Sequence, residues 1–217
     1  MKNPIDNFWM LKLEAVKENL ESNNFEVHIS ESSQDAKELA LEKIIPALGI
    51  KSVSWGGSMS FIGTGLFHAL KDDPGLEVLN TFDRSLAVED MLELRRQSLM
   101  VDLFITGTNA VTEAGHLVNL DMIGNRVAAM MWGPKNVLLI IGRNKICGDL
   151  EDAMFRIKNY AAPVNVMNLD KKTPCNKTGV CHDCSSPDRI CNYWTITEKC
   201  FSKGRIKIIL VNEDIGF

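Results

Sequence analysis

An unbroken apolar run, NVLLIIG at residues 136–142, limits the fold of this chain more than any other feature. A run without polar alternation predicts a strand that is covered on both faces, as the strands of parallel sheets are. Strands that alternate with helices predict an α/β layered domain with a largely parallel sheet. Further strands are predicted at residues 25–30, 53–55, 77–82, 102–111 and 205–211.

Amphipathic patterns separate these strands, with apolar residues at helical spacing and charged residues between them. The segment APVNVMNL, residues 162–169, follows the last of these patterns and is predicted to be extended. The segment TEAGHLVNLD, residues 112–121, predicts a further strand or a hairpin. Helices are predicted over residues 7–21, 32–48, 60–70, 85–99 and 148–161.

The bulk composition excludes several classes of protein. With 217 residues, 45% of them hydrophobic and 24% charged, the chain suits a single globular domain over residues 1–217. A formal net charge of −4 gives no indication of nucleic-acid binding. No apolar run approaches the roughly 20 residues that a membrane span needs. Charges interrupt the N-terminal region, so no signal peptide is predicted and we expect a cytoplasmic protein.

Five of the six cysteines lie close together near the end of the chain. They fall within residues 171–203, a polar, turn-forming stretch before the last predicted strand, which we interpret as a cysteine-rich insertion in the domain. Thiols stay reduced in the cytoplasm, so this cluster indicates a metal site or redox groups before disulfides. The spacing is Cys175-x5-Cys181-x2-Cys184-x6-Cys191-x8-Cys200.

The candidate metal ligands are Cys175, Cys181, Cys184 and Cys191, with Cys200 as a substitute ligand. Four thiolates can hold an iron–sulfur cluster or close a tetrahedral zinc site. The spacing matches neither the bacterial ferredoxin run nor the common zinc ribbon, and an iron–sulfur cluster is favoured over zinc. Free surface thiols and disulfides are the alternatives. The sixth cysteine, Cys147, is predicted to be a small buried hydrophobic residue.

Two glycine-containing turns are candidate ligand sites, because each follows a predicted strand. In open α/β sheets, ligands collect beyond the carboxyl ends of the strands. The first turn leads into a helix whose N-terminus could receive an anion, although its serine could equally serve as a helix cap. The second turn can present backbone and side-chain donors. The residues concerned are Gly56, Gly57, Ser58, Gly107, Thr108 and Asn109.

Glu113 is a candidate base or nucleophile, because it lies between the small residues Thr112 and Ala114. The alternative is an exposed carboxylate in a turn. The nearby His116 and Asp121 form no recognisable catalytic triad with a nucleophile.

Three stretches together resemble the lactate-utilisation (LUD) domain family. They are GGSMS, DLFITGTNAVTEAGHLVNLD and GNRVAAMMWGPKNVLLIIGRNKI, in that order. The resemblance spans Leu11 to Val211 and implies a Rossmann-like fold similar to sugar-phosphate isomerases, CoA transferases and 5-formyltetrahydrofolate cyclo-ligase. It also implies a ligand cleft at the two glycine-containing turns. Some members of this family belong to iron–sulfur systems that oxidise L-lactate to pyruvate.

The segment Thr112–Gly115 is also similar to the Ser-Glu-x-Gly segment of CoA transferases, in which the Glu accepts the acyl group. Only Glu113 and Gly115 match that segment outright. The cysteine-rich insertion departs from the family pattern, because short lactate-utilisation subunits lack a dense cysteine loop.

Three functions follow from these features. The first is a redox-associated protein, linked to lactate or organic-acid metabolism, whose cysteine segment holds an iron–sulfur cluster and serves a partner protein. The second is a non-catalytic subunit that binds a small anionic molecule. The third is a CoA-transferase-like enzyme for acyl or phosphate ligands, which uses Glu113 and carries a structural zinc.

Overall fold

A computed structural model describes residues 3–217. These residues form two sheets. Six strands form one sheet and four form the other. The strands are β1 (Glu26–Ser30), β2 (Ser52–Trp55), β3 (Glu77–Leu79), β4 (Leu103–Thr106), β5 (Ala110–Thr112), β6 (Leu117–Asp121), β7 (Asn136–Gly142), β8 (Ile146–Cys147), β9 (Tyr193–Thr197) and β10 (Ile206–Val211).

The central sheet has the order β1-β10-β7-β4-β2-β3, and all its neighbouring strands run parallel. The predicted α/β class and the largely parallel sheet are therefore confirmed. Strand β7 lies inside this sheet, and its residues from Val137 onward are buried. A strand inside a parallel sheet is covered on both faces, so its side chains are shielded from water. The apolar run at residues 136–142 forms such a strand.

The described chain has ten α-helices. They are α1 (Pro4–Ser22), α2 (Ser33–Leu39), α3 (Ile45–Leu48), α4 (Met59–Gly63), α5 (Leu66–Leu70), α6 (Val88–Gln97), α7 (Asn125–Met131), α8 (Leu150–Arg156), α9 (Ala162–Asn168) and α10 (Pro174–Thr178). Helix α1 packs on one face of the central sheet, and α2 to α5 pack on the other. No helix in residues 3–217 combines the length and the apolar character that crossing a membrane requires.

Alternate side chains of β7 enter two different cores, because successive residues of a strand point to opposite faces. Leu139 and Ile141 pack with Leu13 and Leu20 of α1. Leu138 and Ile140, on the other face, belong to a second core. That second core contains residues of α2, α3, α4 and α5, among them Ala36, Ile45, Phe61 and Leu66.

The second sheet has the order β8-β5-β6-β9. Strands β5 and β6 form an antiparallel hairpin, which confirms the hairpin alternative for residues 112–121. The prediction of one strand over 102–111 is wrong, because β4 belongs to the central sheet and β5 to the second sheet. The strand breaks at Gly107, where a Cβ would lie 2.6 Å from the Ser58 hydroxyl oxygen.

The prediction of an extended segment at 162–169 is also wrong, because these residues form α9. A π-helical turn, Ile157–Ala161, joins α8 to α9 and ends two residues before Pro163. A proline lacks an N–H and clashes with the carbonyl of the preceding turn. The wider π turn lets the helix continue past that clash. The same arrangement recurs before Pro46, where the π turn Ala40–Ile44 joins α2 to α3.

The cysteine-rich segment, residues 171–203, lies between α9 and β10. It contains α10 and β9, and β9 pairs antiparallel with β6 of the second sheet. Cys175 and Ile190 pack with Val166 of α9 in a small apolar cluster. The segment is therefore attached to the domain by a strand pairing and by side-chain packing.

Candidate functional site

The connections that leave β2 and β4 diverge at the carboxyl end of the central sheet. From β2 the chain moves outward to β3, whereas from β4 it moves in the opposite direction to β7. Such a switch point leaves a crevice between the two connections, and ligands of open α/β sheets bind there. The two glycine-containing turns predicted as ligand sites lie directly beyond β2 and β4.

The structure brings these two turns together. The Gly56 N–H donates to the Ile105 carbonyl oxygen at 3.0 Å. A Cβ on Gly56 would lie 2.9 Å from the Arg126 Cγ, so only glycine fits at this position. Gly57, in contrast, has open space where a Cβ would be. The two turns are therefore held close to each other at the expected position of the crevice.

Most polar side chains of the turns are already used inside the protein. The Ser58 Oγ accepts from the Phe61 N–H at 3.2 Å. Ser58 is therefore a helix cap, which was the alternative role predicted for it. The Asn109 Oδ1 accepts from the Leu120 N–H at 3.0 Å. The buried Thr108 hydroxyl lies 3.0 Å from the Ala110 carbonyl oxygen. These side chains stabilise the turns and leave few free donors for a ligand.

Arg126, on α7, is the buried centre of the polar network behind the turns. Its Nε donates to Asp121 at 3.0 Å, and its Nη1 donates to the Gly107 carbonyl oxygen at 3.0 Å and to Asn119 at 2.7 Å. Its Nη2 donates to Asn109 at 2.9 Å. Burial lowers the pKa of Arg126, and the Asp121 carboxylate opposes that shift. Arg126 therefore holds both sides of the second turn in place.

One donor of this network lacks an acceptor. The side-chain nitrogen of Asn119 is buried, and it has no hydrogen-bond partner within residues 3–217. The oxygen of the same amide accepts from Arg126 and from the Asn109 N–H, which fixes the orientation of the group. A buried donor without a partner is unfavourable and is satisfied by a bound molecule or by water.

Lys145 is a second buried cation at this end of the sheet. It ends the 3₁₀ turn Arg143–Lys145 that directly follows β7, and it is 5% exposed. Its amine donates to the Thr108 carbonyl oxygen at 3.0 Å. Burial, together with the nearby charges of Arg156 and Arg126, lowers the pKa of Lys145 to about 7.

Arg156, on α8, is partly buried beside Lys145. Its Nη1 donates to the Asn109 carbonyl oxygen at 2.8 Å and its Nε to the Asn144 carbonyl oxygen at 3.1 Å. Its guanidinium carbon lies 5.5 Å from the centre of the Tyr160 ring. Desolvation lowers the pKa of Arg156. In the described chain, Nη2 of Arg156 donates no hydrogen bond and Arg156 forms no ion pair.

Residues 213–217 pass beside Lys145. The Ile215 N–H donates to the Asn144 Oδ1 at 3.2 Å, and the Ile215 carbonyl oxygen accepts from the Ser60 hydroxyl at 3.1 Å. A Cβ on Gly216 would lie 3.3 Å from the Lys145 Nζ. Two surface clefts lie elsewhere, one beside Gly49 and Leu76 and the other beside Glu26 and Lys207.

The LUD domain family matches residues 13–211. The chain belongs to the LUD domain family. The resemblance inferred from the sequence is thereby confirmed, and the chain is a lactate-utilisation-related protein. A crystal structure of a DUF162 family protein from Deinococcus radiodurans is similar to it, with 14% identity over 94% of this chain and 98% of that chain and a TM-score of 0.48. No curated protein matches the chain.

Glu113 of this LUD domain lies apart from the cations. Its side chain is half exposed and forms an ion pair of 2.7 Å with Lys12 of α1. Its carbonyl oxygen accepts from the Asn19 side chain, and its N–H donates to the Cys147 carbonyl oxygen. These contacts place Glu113 in the β5–β6 turn against α1, and none of them joins it to the turns at Gly56 and Gly107. Its catalytic role stays a prediction.

The four candidate metal ligands lie in one region, which Arg189 organises. Arg189 donates to the carbonyl oxygens of Cys184 and Cys191 and forms an ion pair of 2.9 Å with Asp183. The pKa of the Cys191 thiol is raised, mainly by burial; the cations Lys158 and Arg189 oppose this shift, and Cys181 and Cys175 add to it. The Cys191 thiol therefore lies within electrostatic range of both Cys175 and Cys181.

Thiols are the donors that iron–sulfur clusters and structural zinc use, so the chemistry of the donor set fits both groups. Within residues 3–217, no three His, Cys, Asp or Glu side chains converge as metal ligands, so the thiols would have to come closer together to bind either group. Cys200 packs with Leu13 and Leu20 in the core beside α1, away from the other four cysteines. Cys147 is buried as predicted.

The cations of the crevice were not found from the sequence. Arg126, Lys145 and Arg156 lie on three different elements, and only the fold brings them together. One indication was available: GRNKI follows the longest buried strand, at the sheet edge where ligands collect.

Proposed function

We propose that this LUD domain binds a small organic anion in the crevice beyond β2, β4 and β7. The observation that supports the proposal is an excess of positive charge that is buried or partly buried. Arg126, Lys145 and Arg156 are gathered behind the two turns, and Asp121 is the one carboxylate paired with any of them in the described chain. We place the protein in the cytoplasm, where its thiols would remain reduced.

Buried charges are unfavourable unless an opposite charge compensates them. Asp121 compensates Arg126, which leaves Lys145 and Arg156 without a carboxylate. In the free protein the pKa of Lys145 is lowered to about 7, so its amine is partly neutral near pH 7. This reduces the unfavourable energy of a buried charge. A bound carboxylate would supply the missing negative charge, and Nη2 of Arg156 has free hydrogens to donate to it.

Anion binding should therefore depend on pH. A bound anion favours the protonated amine of Lys145, which is present below pH 7 and is lost above it. Affinity should fall as the pH rises above about 7, by up to about tenfold per pH unit. Sulfate and L-lactate are suitable probes, because neither changes its charge in this range. Binding can be measured by calorimetry and by the rise in melting temperature between pH 6.5 and 9.

A matched pair of substitutions tests the site. Lys145→Met should abolish the pH-dependent part of anion binding, whereas Lys207→Met should preserve it. Lys207 is also a buried lysine, but it lies near Glu26, with 3.7 Å between the charged atoms, at the amino end of the sheet. Equal binding of sulfate and L-lactate by the wild type and both variants would refute the proposed site, as would a response that chloride reproduces at the same ionic strength.

We propose as a second candidate that the cysteine-rich segment holds a metal, with an iron–sulfur cluster favoured over zinc, and thereby links the domain to a redox partner protein. The observation that favours it is that Cys191 lies within electrostatic range of Cys175 and Cys181 and of the cations Lys158 and Arg189. Burial keeps the pKa of Cys191 raised in the free protein, and the two cations oppose that shift towards the thiolate, which is the form that binds metals.

Anaerobic purification followed by metal analysis and an absorption spectrum tests this second candidate. An iron–sulfur cluster gives a brown protein with iron and sulfide, and zinc gives a colourless one. Cys181→Ser should lose the metal and Cys200→Ser should retain it, since Cys200 lies in another core. Protein that contains neither metal, or equal metal content in both variants, would eliminate the candidate.

A further inference from the structure

Lys145 has more hydrogen-bonding capacity than the protein uses. Its amine can donate three hydrogen bonds when protonated, and the described chain provides one acceptor, the Thr108 carbonyl oxygen. No carboxylate of residues 3–217 forms an ion pair with it. A buried amine of this kind either only destabilises the fold or has a role in binding or catalysis.

Lys207 shows how the same protein treats a buried lysine with a structural role. The Lys207 amine donates to the Asn136 side chain at 3.1 Å and to the Gly204 carbonyl oxygen at 2.6 Å, and Glu26 lies nearby. Lys145 has instead two guanidinium groups as its charged neighbours, those of Arg126 and Arg156. The carboxylate of Asp121 is taken by Arg126.

The position of Lys145 is that of a group which acts on a ligand. It follows the carboxyl end of β7, and its amine contacts the Thr108 carbonyl oxygen in the turn after β4, where a switch-point crevice is expected. Desolvation and neighbouring cations are the two means by which proteins make a lysine amine nucleophilic. Both act on Lys145, and with its pKa near 7 the neutral form of the amine is well populated at neutral pH.

We propose that Lys145 is the reactive amine of the crevice and forms an imine with the carbonyl group of a small carboxylate. The nitrogen lone pair of the neutral amine forms the new bond to the carbonyl carbon. The carbonyl oxygen takes up both amine hydrogens and leaves as water, and a carbon–nitrogen double bond remains. No oxidant or reductant is needed. The inference rests on the proposed anion site, because Arg156 would hold the carboxylate of the same ligand. An amine that is protonated in that complex first releases its proton to solvent.

Reductive trapping tests the imine directly. Glyoxylate is a suitable probe, because it is the smallest carboxylate that carries an aldehyde, and acetaldehyde is the matched probe without a carboxylate. The wild-type protein is incubated with each probe and cyanoborohydride at pH 7.5, and adducts are located by peptide mass spectrometry. We expect glyoxylate to label Lys145 at least about tenfold more than Lys207, with sulfate protecting the site and acetaldehyde showing less preference.

A conservative variant separates this inference from the proposed function. Lys145→Arg keeps the positive charge, so it should still bind sulfate and should show no trapped adduct at position 145. Sulfate binding by the wild type without preferential labelling of Lys145 would overturn the imine and leave the anion site intact. Absence of both would overturn both. The wild-type peptide map alone is decisive if the variant fails to fold.

Discussion

Lys145 combines full burial with a charge that the fold does not compensate. Such a group makes the stability of the protein depend on pH, because its pKa differs between the folded and unfolded chains. The pKa is about 7 in the folded protein, and a lysine in an unfolded chain has a pKa of about 10.4. Between these values the unfolded chain binds more protons than the folded one, so stability must rise with pH in this window.

We therefore expect the free energy of unfolding to increase from pH 7 to pH 9, by up to about 1.4 kcal/mol per pH unit from this group. Urea denaturation at several pH values measures it. Lys145→Met should flatten the increase, and it should also raise stability at pH 7, because the variant has no buried charge. Lys207→Met serves as the control and should keep the wild-type slope. Parallel pH profiles for the wild type and Lys145→Met would contradict the assignment.

At the level of the elements, patterning predicted most of the fold. The strands at 25–30, 136–142 and 205–211 formed within a residue or so of their predicted ends. Hydrophobic periodicity is a local property of the sequence, so it can be recognised without knowledge of the fold. The strand at 77–82 was predicted too long, since β3 ends at Leu79.

The elements that were predicted wrongly depend on tertiary contacts. From local sequence alone, Pro163 indicates a helix end, because the residue before a proline disfavours the helical conformation. In the structure a π turn precedes it and α9 continues. Similarly, nothing local shows that the chain changes sheets at Gly107, because the reason is its contact with Ser58, 49 positions earlier in the sequence. Such contacts can be read only from the folded chain.

The candidate site, like the fold, could be predicted only in part from the sequence. Gly56, Gly107 and Asn109 could be predicted, because turns after strands are recognisable from glycine and polar residues. The cations that give the crevice its chemistry could not, because arginine and lysine are usually solvated and their burial is a consequence of packing. The cysteine-rich segment was recognised from its spacing, but its organisation by Arg189 was not.

Across the whole molecule, the residues near Phe217 connect elements that are far apart in sequence. Glu213 accepts from the Ser33 N–H at the start of α2, and Asp214 forms an ion pair of 2.9 Å with Arg143. With the contacts of Ile215 described above, this segment crosses the carboxyl edge of the central sheet and lies over Lys145. We therefore expect movements of residues 215–217 to control how easily a ligand reaches the amine.

Gly216 allows this cover to be tested with a matched control. Its φ is +68°, and a Cβ there would lie 2.5 Å from the Ser60 hydroxyl oxygen and 2.9 Å from the Ser60 nitrogen. Gly179 has nearly the same backbone conformation, with φ +69°, but nothing lies within 4 Å of its Cβ position. Alanine at either position carries the same left-handed strain, of about 1 kcal/mol. Only Gly216→Ala must also displace the segment.

We expect Gly216→Ala to expose Lys145 and to increase its rate of reductive methylation by formaldehyde several-fold, measured for each lysine by peptide mass spectrometry. Gly179→Ala should leave that rate unchanged, because its added methyl group meets open space. Methylation of Lys207 in the same samples reports any general loosening of the fold. If Lys145 reacted at the wild-type rate in both variants, the segment would not control access. If Lys145 and Lys207 both became faster in Gly216→Ala, partial unfolding rather than local opening would explain the result.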